Sequence, residues 1–378
     1  MIGGGQGAFI GAVHRIAARL DGEYELVCGC FSSNAQTSVA SGLELGLEPE
    51  RVYGSYEELF VKEQLLPAKE RMEVVSIVTP NHVHFEPAKL ALERGFHVIM
   101  DKPMTFSLAE ALELRQITEQ SKSMLCLTHT YTGYPMVKEA KQLIAQHKLG
   151  KIRKIYVEYP QGWLSDFEER NPDNKQAGWR TDPRKSGIAG AMGDIGTHTF
   201  NLAEYISGLK VTYINADINT VVEGRKLDDD GSVLLKFDNG ASGVLFATQV
   251  AAGEENNIRI RVYGEKGGLE WQQNDANTLL IKWADRPAEI LRTGGSYLSS
   301  YAKHNTRTPA GHPEGYLEAF ANLYRNFALT IKAIDNGQQP SPEYLDFPGI
   351  EEGIRGMAFI ENVIASELSD QKWTKFSV

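Results

Sequence analysis

The first third of the chain alternates short apolar runs with longer amphipathic segments, and this alternation constrains the fold most. Strand candidates lie at residues 25–30, 73–78, 97–100 and 124–127. Two of the intervening helical segments begin with a serine followed three residues later by a glutamate, at Ser55 and Ser107, which is the pattern of a capping box. Strands that alternate with helices predict βαβ units and a parallel sheet covered on both faces.

The pattern changes after residue 128. Helices are predicted at 135–147, 195–206, 316–335 and 353–366, and strand candidates follow one another at 151–159, 210–215, 232–237, 242–250, 258–263 and 268–271. A hairpin turn at Asp238-Asn239-Gly240 joins two of these strands. We therefore predict an α/β protein whose first domain is residues 1–128. Its second domain, 129–378, carries a large, mainly antiparallel open sheet, and its last helix is able to pack back on the first domain.

Charge and composition exclude several partner classes. The 378 residues carry a net charge of −10, which argues against nucleic acid or an anionic membrane as the main partner, although backbone amides can still bind a phosphate. The chain has three cysteines, and Cys28 and Cys30 are two apart in an apolar run rather than in a CxxC motif. Buried, reduced thiols and the absence of a long apolar run or a signal peptide predict a cytoplasmic protein.

A glycine-rich loop opens the chain and fits the pattern G-x-G-x-x-[GA] at Gly3, Gly5 and Ala8. In that pattern the first glycine allows a tight turn, the second admits a pyrophosphate, and the third small residue lets helix and strand pack closely. An amphipathic helix follows, so the pyrophosphate is expected at its N-terminus. The loop residues predicted to bind a dinucleotide are Gly3, Gly5, Gln6, Gly7, Ala8 and Phe9.

Two features of this region are unusual. The strand expected before the loop is nearly absent, which predicts a few more apolar residues upstream of Met1 in the native protein. The second strand candidate ends in Ser32, Ser33 and Asn34, where an acidic residue would bind the ribose diol of NAD and an arginine would suit the phosphate of NADP. Neither is present, and the missing cation favours NAD while leaving NADP open.

Two further segments follow predicted strands. Thr79-Pro80-Asn81-His82-Val83-His84 comes after the strand ending at Val78, and Asp101-Lys102-Pro103 after the strand ending at Met100. Open α/β sheets bind ligands at the carboxyl ends of their parallel strands. We therefore expect Thr79, Pro80, Asn81, His84, Asp101 and Lys102 at the cofactor site.

With these motifs the sequence resembles the glucose–fructose oxidoreductase / inositol dehydrogenase / MocA family over nearly its whole length. The family's Thr-Pro-Asn-x-x-His, Glu-Lys-Pro (here with aspartate), Trp-Arg-x-Asp-Pro and Gly-Asp-x-Gly-x-His motifs match residues 79–84, 101–103, 179–183 and 193–198, in that order. The resemblance implies a Rossmann domain and an α/β domain whose open sheet forms a dimer or tetramer. The span from Gly3 to His14 is longer than is usual and resembles a subgroup acting on sugars or cyclitols.

Three residues are the candidate catalytic groups. Asp194 and His198 are four apart and share one face if their segment is helical, and a histidine, with an ordinary pKa near 6.5, suits a general base. The resemblance implies that Asp194 contacts substrate hydroxyls and that Lys102 holds the reacting oxygen. A cationic nicotinamide would disfavour the Lys102 ammonium, which makes this residue an alternative base or proton relay. A helix-cap pair without chemistry is the other interpretation of Asp194 and His198.

Aromatic and planar polar side chains are expected to shape the substrate pocket. Tyr131 follows the fourth strand, Trp163, Trp179 and Arg180 lie in an irregular stretch, and His312 precedes a helix. We expect Tyr131, Trp163, Arg180 and His312 to bind substrate, and Trp179 and Arg180 to contribute to the cofactor site. The scattered histidines match no metal motif, so no metal is expected.

Together these features predict an NAD(P)-dependent oxidoreductase that moves a hydride between nicotinamide and a secondary hydroxyl of a sugar, glycoside or cyclitol. Two alternatives remain open at this stage. One is an NAD-dependent glycosidase that oxidises its substrate transiently. The other is a non-catalytic sugar or NAD sensor of the same fold, since fold alone does not give function.

Overall fold

The computed structural model describes all residues from 1 to 378, which divide into two compact units. The first unit is residues 1–128 with 320–354, and the second is 129–319 with 355–378. The strands are β1 Ile2–Gly3, β2 Val74–Val78, β3 His97–Met100, β4 Leu125–Leu127, β5 Ile152–Pro160, β6 Val211–Asn219, β7 Asp230–Phe237, β8 Ser242–Thr248, β9 Arg259–Gly264, β10 Gly267–Gln272, β11 Thr278–Trp283, β12 Glu289–Arg292 and β13 Thr374–Lys375. The α-helices are α1 Phe9–Leu20, α2 Ala35–Glu44, α3 Tyr56–Leu65, α4 Phe85–Glu93, α5 Leu108–Gln120, α6 Pro135–Ala145, α7 Lys175–Arg180, α8 Pro183–Ser186, α9 Thr197–Ser207, α10 Ser300–His304, α11 Tyr316–Asp335 and α12 Ile350–Glu367.

The first unit contains a four-stranded parallel sheet in the order β1-β2-β3-β4. Its central strands are apolar on both faces, and Val75, Ile77, Val98 and Ile99 are fully buried. Ser107 and Glu110 form the predicted capping box at the start of α5. Strands buried on both faces are what a parallel sheet flanked by helices requires, so this part of the predicted fold class is confirmed.

The first strand, β1, has only two residues, and the chain segments beside it differ from the prediction. The predicted strand at 25–30 does not form; only Cys30 and Gly29 make isolated bridges, to Ile2 and Val52, because β1 offers a partner only at its end. A cavity of about 290 Å³ lies beside β1, α1 and β2. The ammonium group of Met1 is buried there, donates to the Cys28 carbonyl at 2.9 Å, and has its pKa lowered by burial.

Residues 320–354 belong to the first unit, whereas we predicted them in the second domain. The physical reason is aromatic packing by α11: Tyr324 contacts the rings of His14 and Tyr24, and Phe327 contacts His97. The Pro348 carbonyl also accepts the backbone N–H of Leu127 at 2.8 Å. The periodicity that located the helix could not show which core its apolar face would join.

The second unit contains a nine-stranded sheet in the order β12-β11-β10-β9-β5-β8-β7-β6-β13. All neighbouring strands are antiparallel except β5 and β8, which run parallel. The strands alternate buried and exposed residues, as a sheet covered on one face does. The predicted large, mainly antiparallel sheet is thus confirmed, although its strands β11, β12 and β13 were not predicted.

Two further observations concern the state of the cysteines and the length and hydropathy of the helices. All three cysteines are buried and none forms a disulfide. No helix combines the length and the apolar character needed to cross a bilayer.

Candidate active site

The glycine loop joins β1 to α1 and lies against the end of β2. Gly3, Gly4 and Gly7 have φ values of +81°, +71° and +76°, the left-handed region that glycine tolerates. We expected Ala8 to allow the close approach of helix and strand, but the tightest contact is at Gly11, where a Cβ would lie 2.4 Å from the Gly4 Cα. The close-packing position therefore lies in the first turn of α1, three residues beyond Ala8, in keeping with the long span from Gly3 to His14.

The loop has the properties of a pyrophosphate cradle. A Cβ on Gly7 would meet no atom within 4 Å, so this exposed backbone is open on the side that a ligand would approach. Ala8 caps α1 without a side-chain hydrogen bond, which leaves the first amides of a twelve-residue helix to another acceptor. These residues fit the dinucleotide that the sequence predicts.

The residues after Cys30 only partly match their predicted role. The Asn34 side chain caps α2 by accepting from the Thr37 backbone at 2.9 Å, and Ser32 accepts from the Asn34 backbone at 3.1 Å. Gln6 donates to Glu44 at 2.7 Å, and its backbone donates to Ser41. The Gly5 backbone N–H donates to the Phe31 carbonyl at 3.3 Å, which places the residue before Ser32 beside the loop, and a ribose contact from Ser32, Ser33 and Asn34 stays a prediction.

The two motifs at the ends of β2 and β3 are linked by a buried histidine. The His84 ring nitrogens lie 2.8 Å from the carbonyl oxygens of Thr79 and Pro103. Burial lowers the pKa of His84, although these carbonyls and the Asp101 carboxylate favour its charged form. The structure therefore brings the motif at 79–84 together with Asp101-Lys102-Pro103, as expected for neighbouring parallel strands.

Asp101 is held by a buried polar network. His14 Nε2 lies 3.2 Å from Asp101 Oδ1, and the Thr128 hydroxyl donates to the same oxygen at 2.7 Å. The other ring nitrogen of His14 lies 2.7 Å from the Tyr324 hydroxyl, which also bonds Ser76 at 2.9 Å. Burial raises the pKa of Asp101, but the nearby His14 and the two hydrogen bonds outweigh this effect and lower it. The network fixes the residue that precedes Lys102.

In the second unit, Asp194 lies in a π-helical turn rather than a regular α-helix. The turn spans Met192–Gly196 and continues directly into α9 at Thr197, so the segment is helical as the prediction required, with a π turn at Asp194 in place of a regular α-helical turn. The buried Asp228 carboxylate accepts from the backbones of Gly190 and Met192, at 2.5 and 2.7 Å, and anchors the start of this turn. Single π turns occur frequently at functional sites.

The Asp194 carboxylate receives two donors. Gln249 Nε2 lies 2.9 Å and Arg180 Nε 3.4 Å from Oδ2. The Arg180 guanidinium also stacks over the Trp179 ring, 4.3 Å from its centroid. Trp163 is about one-third exposed at 37% and donates to Gln161 at 3.0 Å. This region thus presents a carboxylate, a guanidinium and amides, which can hydrogen-bond to hydroxyl groups. It also presents two indole rings, which can stack against C–H faces.

His198 is surrounded by aromatic rings. Tyr131 lies edge-on at 4.9 Å between centroids, and His129 lies at 5.5 Å. The Tyr131 hydroxyl bonds the Tyr159 hydroxyl, whose pKa is raised to about 12 mainly by burial and also by Asp194. Burial raises the pKa of Tyr131 as well, so both phenols keep their protons near neutral pH.

Thus Tyr131, Trp163, Trp179, Arg180, Asp194 and His198 all lie around one region of the second unit. His312 instead lies on an exposed turn, with its Nδ1 3.2 Å from the Pro309 carbonyl, and its substrate role stays a prediction. The sequence reasoning missed four polar residues of this region: Tyr159, Gln161, Gln249 and Asn256. No group of three or more His, Cys, Asp or Glu side chains is arranged to hold a metal ion.

Comparison with known proteins agrees with this architecture. Residues 1–129 match the model of the oxidoreductase family with an NAD-binding Rossmann fold, and residues 137–270 match the GFO/IDH/MocA C-terminal domain. Uncharacterized oxidoreductase YfiI of Bacillus subtilis is 33% identical over 379 residues, which cover 100% of this chain and 96% of that protein.

Two solved structures are similar along the whole chain. An oxidoreductase from Sinorhizobium meliloti is 44% identical, with a TM-score of 0.89 and coverage of 99% and 98% of the two chains. An inositol dehydrogenase homolog from Azotobacter vinelandii, complexed with NADH and myo-inositol, is 31% identical, with a TM-score of 0.90 and coverage of 100% and 96%. The predicted NAD cofactor and dehydrogenase class are confirmed, and the chain belongs to the GFO/IDH/MocA family of NAD-binding oxidoreductases.

Proposed function

We propose that this protein oxidises a secondary hydroxyl of a sugar, glycoside or cyclitol. Bound NAD would supply the hydride acceptor. The observation that carries the proposal is the cluster in the second unit, where Asp194, Arg180 and His198 lie among aromatic rings and amide side chains. The myo-inositol bound to the inositol dehydrogenase homolog supports a neutral polyol as the substrate.

Each proposed residue has a separate task. Asp194 accepts a hydrogen bond from a substrate hydroxyl, and Arg180 keeps the carboxylate charge compensated. His198 accepts the proton that the reacting hydroxyl loses, because imidazole is an effective base near neutral pH. Lys102 donates a hydrogen bond to the reacting oxygen, a role that rests on the family resemblance. The tyrosine pair packs against the His198 ring and restricts its rotation.

The test is a substrate panel with purified protein, read as the absorbance of the reduced cofactor. The panel contains myo-inositol, D-glucose and a nitrophenyl glucoside, each with NAD and with NADP. We expect NAD reduction with at least one polyol and a loss of at least about 100-fold in kcat/KM in His198→Asn and Lys102→Ala. His147→Asn, at an exposed histidine outside the site, is the matched control and should keep full activity.

Three results would contradict the proposal. Nitrophenol release without accumulation of reduced cofactor would indicate a glycosidase with transient oxidation. NAD binding without turnover on any member of the panel would indicate a sensor. Full turnover in both His198→Asn and Lys102→Ala would refute the assigned roles.

A further inference from the structure

The one parallel strand pair in the second sheet ends at two buried glutamines. β5 and β8 pair from Lys154 with Ser242 to Pro160 with Thr248, and the next residues are Gln161 and Gln249. The Gln161 backbone continues the pairing by donating to the Thr248 carbonyl at 2.8 Å. Gln161 is 8% exposed and Gln249 is 3% exposed, so the side-chain amide of each needs a hydrogen-bond partner inside the protein. Parallel strands thus deliver both amides to the same edge of the sheet.

The hydrogen bonds at this edge define which amide atoms are donors. The Gln249 amide nitrogen lies 2.9 Å from Asp194 Oδ2 and 3.4 Å from Gln161 Oε1. The Gln161 nitrogen donates in turn to Asn256 Oδ1, and the Trp163 indole N–H donates to Gln161 Oε1 at 3.0 Å. Because a carboxylate only accepts, Gln249 must present its NH₂ group to Asp194, and the other bonds hold it in that orientation.

We propose that Gln249 is a positioning residue that holds the Asp194 carboxylate as an acceptor for a hydroxyl of the substrate. The hydrogen bond fixes one oxygen of Asp194 on the side facing β8, where Arg180 approaches the same atom. The Asp194 charge also helps to raise the pKa of Tyr159, whose ring lies 6.3 Å from the His198 ring between centroids. The substrate part of this inference rests on the function proposed above, whereas the contact between Gln249 and Asp194 does not.

A melting-temperature cycle tests the contact without any substrate. Gln249→Glu places two carboxylates in contact at pH 7.5 and should lower the Tm by on the order of 5 °C. In the Asp194→Asn background the new glutamate gains an amide donor, so the same change should cost less than half as much. Gln339→Glu, which adds the same charge at an exposed position, should leave the Tm unchanged within about 1 °C. Equal losses in both backgrounds would overturn the inference.

A kinetic experiment tests the positioning role, with NAD and myo-inositol as the probes. Gln249→Met removes the donor without adding charge, and it keeps the protein testable if Gln249→Glu does not fold. We expect the KM for myo-inositol to rise about 10-fold or more, with the KM for NAD unchanged within about twofold. An unchanged polyol KM in Gln249→Met would overturn the positioning role. If the wild type oxidises no member of the panel, the proposed function fails, and the Tm cycle alone decides the contact.

Discussion

The pair formed by buried His14 and partly buried Asp101 predicts a measurable difference between two substitutions at position 101. Both His14 Nε2–H and the Thr128 hydroxyl are directed at the same oxygen, Asp101 Oδ1. In Asp101→Asn that oxygen persists, so both donors keep an acceptor and only the charge is lost. In Asp101→Ala the acceptor disappears, and His14, which is fully buried, loses its partner on one ring nitrogen.

The magnitudes follow from those partners. The Thr128 hydroxyl has a second acceptor, the Met100 carbonyl at 3.2 Å. The main effect of Asp101→Ala is therefore that the His14 N–H loses its acceptor. A buried donor without an acceptor costs about 1–3 kcal/mol, and we expect Asp101→Ala to lose about 2 kcal/mol of unfolding free energy. Asp101→Asn should lose about 1 kcal/mol or less, because only the contribution of the charge to the two bonds is removed.

The pH dependence of the unfolding free energy shows how much of the Asp101 contribution comes from its negative charge. The pKa of Asp101 in the folded protein lies below 3.8, its ordinary value, so the carboxylate contributes its full stabilisation above about pH 5. This contribution disappears as the pH falls through the folded pKa. The difference between wild type and Asp101→Asn should therefore shrink as the pH falls below about 4.

Urea unfolding followed by tryptophan fluorescence at several pH values measures these quantities. The reasoning would be refuted if Asp101→Asn destabilised the protein as much as Asp101→Ala at pH 7. It would also be refuted if the difference between wild type and Asp101→Asn did not shrink below about pH 4.

Three further predictions concern the packing at Gly11, the hydrogen bonds to Asp228 and the exposed face of the open sheet. Gly11→Ala should destabilise the first unit by about 1–3 kcal/mol and weaken NAD binding measured by calorimetry, because its Cβ would meet Gly4 at 2.4 Å; Gly7→Ala has open space and should cost about 1 kcal/mol. Asp228→Ala leaves two buried N–H groups unpaired and should lower the Tm by several degrees, whereas Asp228→Asn retains one acceptor and should lower it less. Light scattering should show a mass that is a multiple of 41.9 kDa if the open sheet mediates association, and Leu234→Glu, at an apolar side chain 44% exposed on β7, should shift it to the monomer.

Much of the first unit could be predicted because its signals are local. The alternation of strands and helices fixes the parallel sheet, and the motifs at 79–84 and 101–103 directly follow strands that are neighbours in that sheet. The same reasoning failed where a segment with strand character has too short a neighbouring strand to pair with. The run at 25–30 has strand character, yet it forms no strand opposite a first strand of two residues.

The second unit shows a deeper limit of sequence reasoning. Asp194 and His198 could be found because they occupy one short motif, although Asp228, whose carboxylate accepts backbone N–H groups at the start of the π turn, lies more than thirty residues later in the chain. Gln161 and Gln249 belong to no motif, and consecutive strands predict antiparallel pairing. They become neighbours only because β8 pairs parallel with β5, a contact between segments almost ninety residues apart. A polar residue directly after a buried strand is therefore a useful signal for a site only once the parallel partner of that strand is known, since the carboxyl ends of parallel strands then lie at one edge.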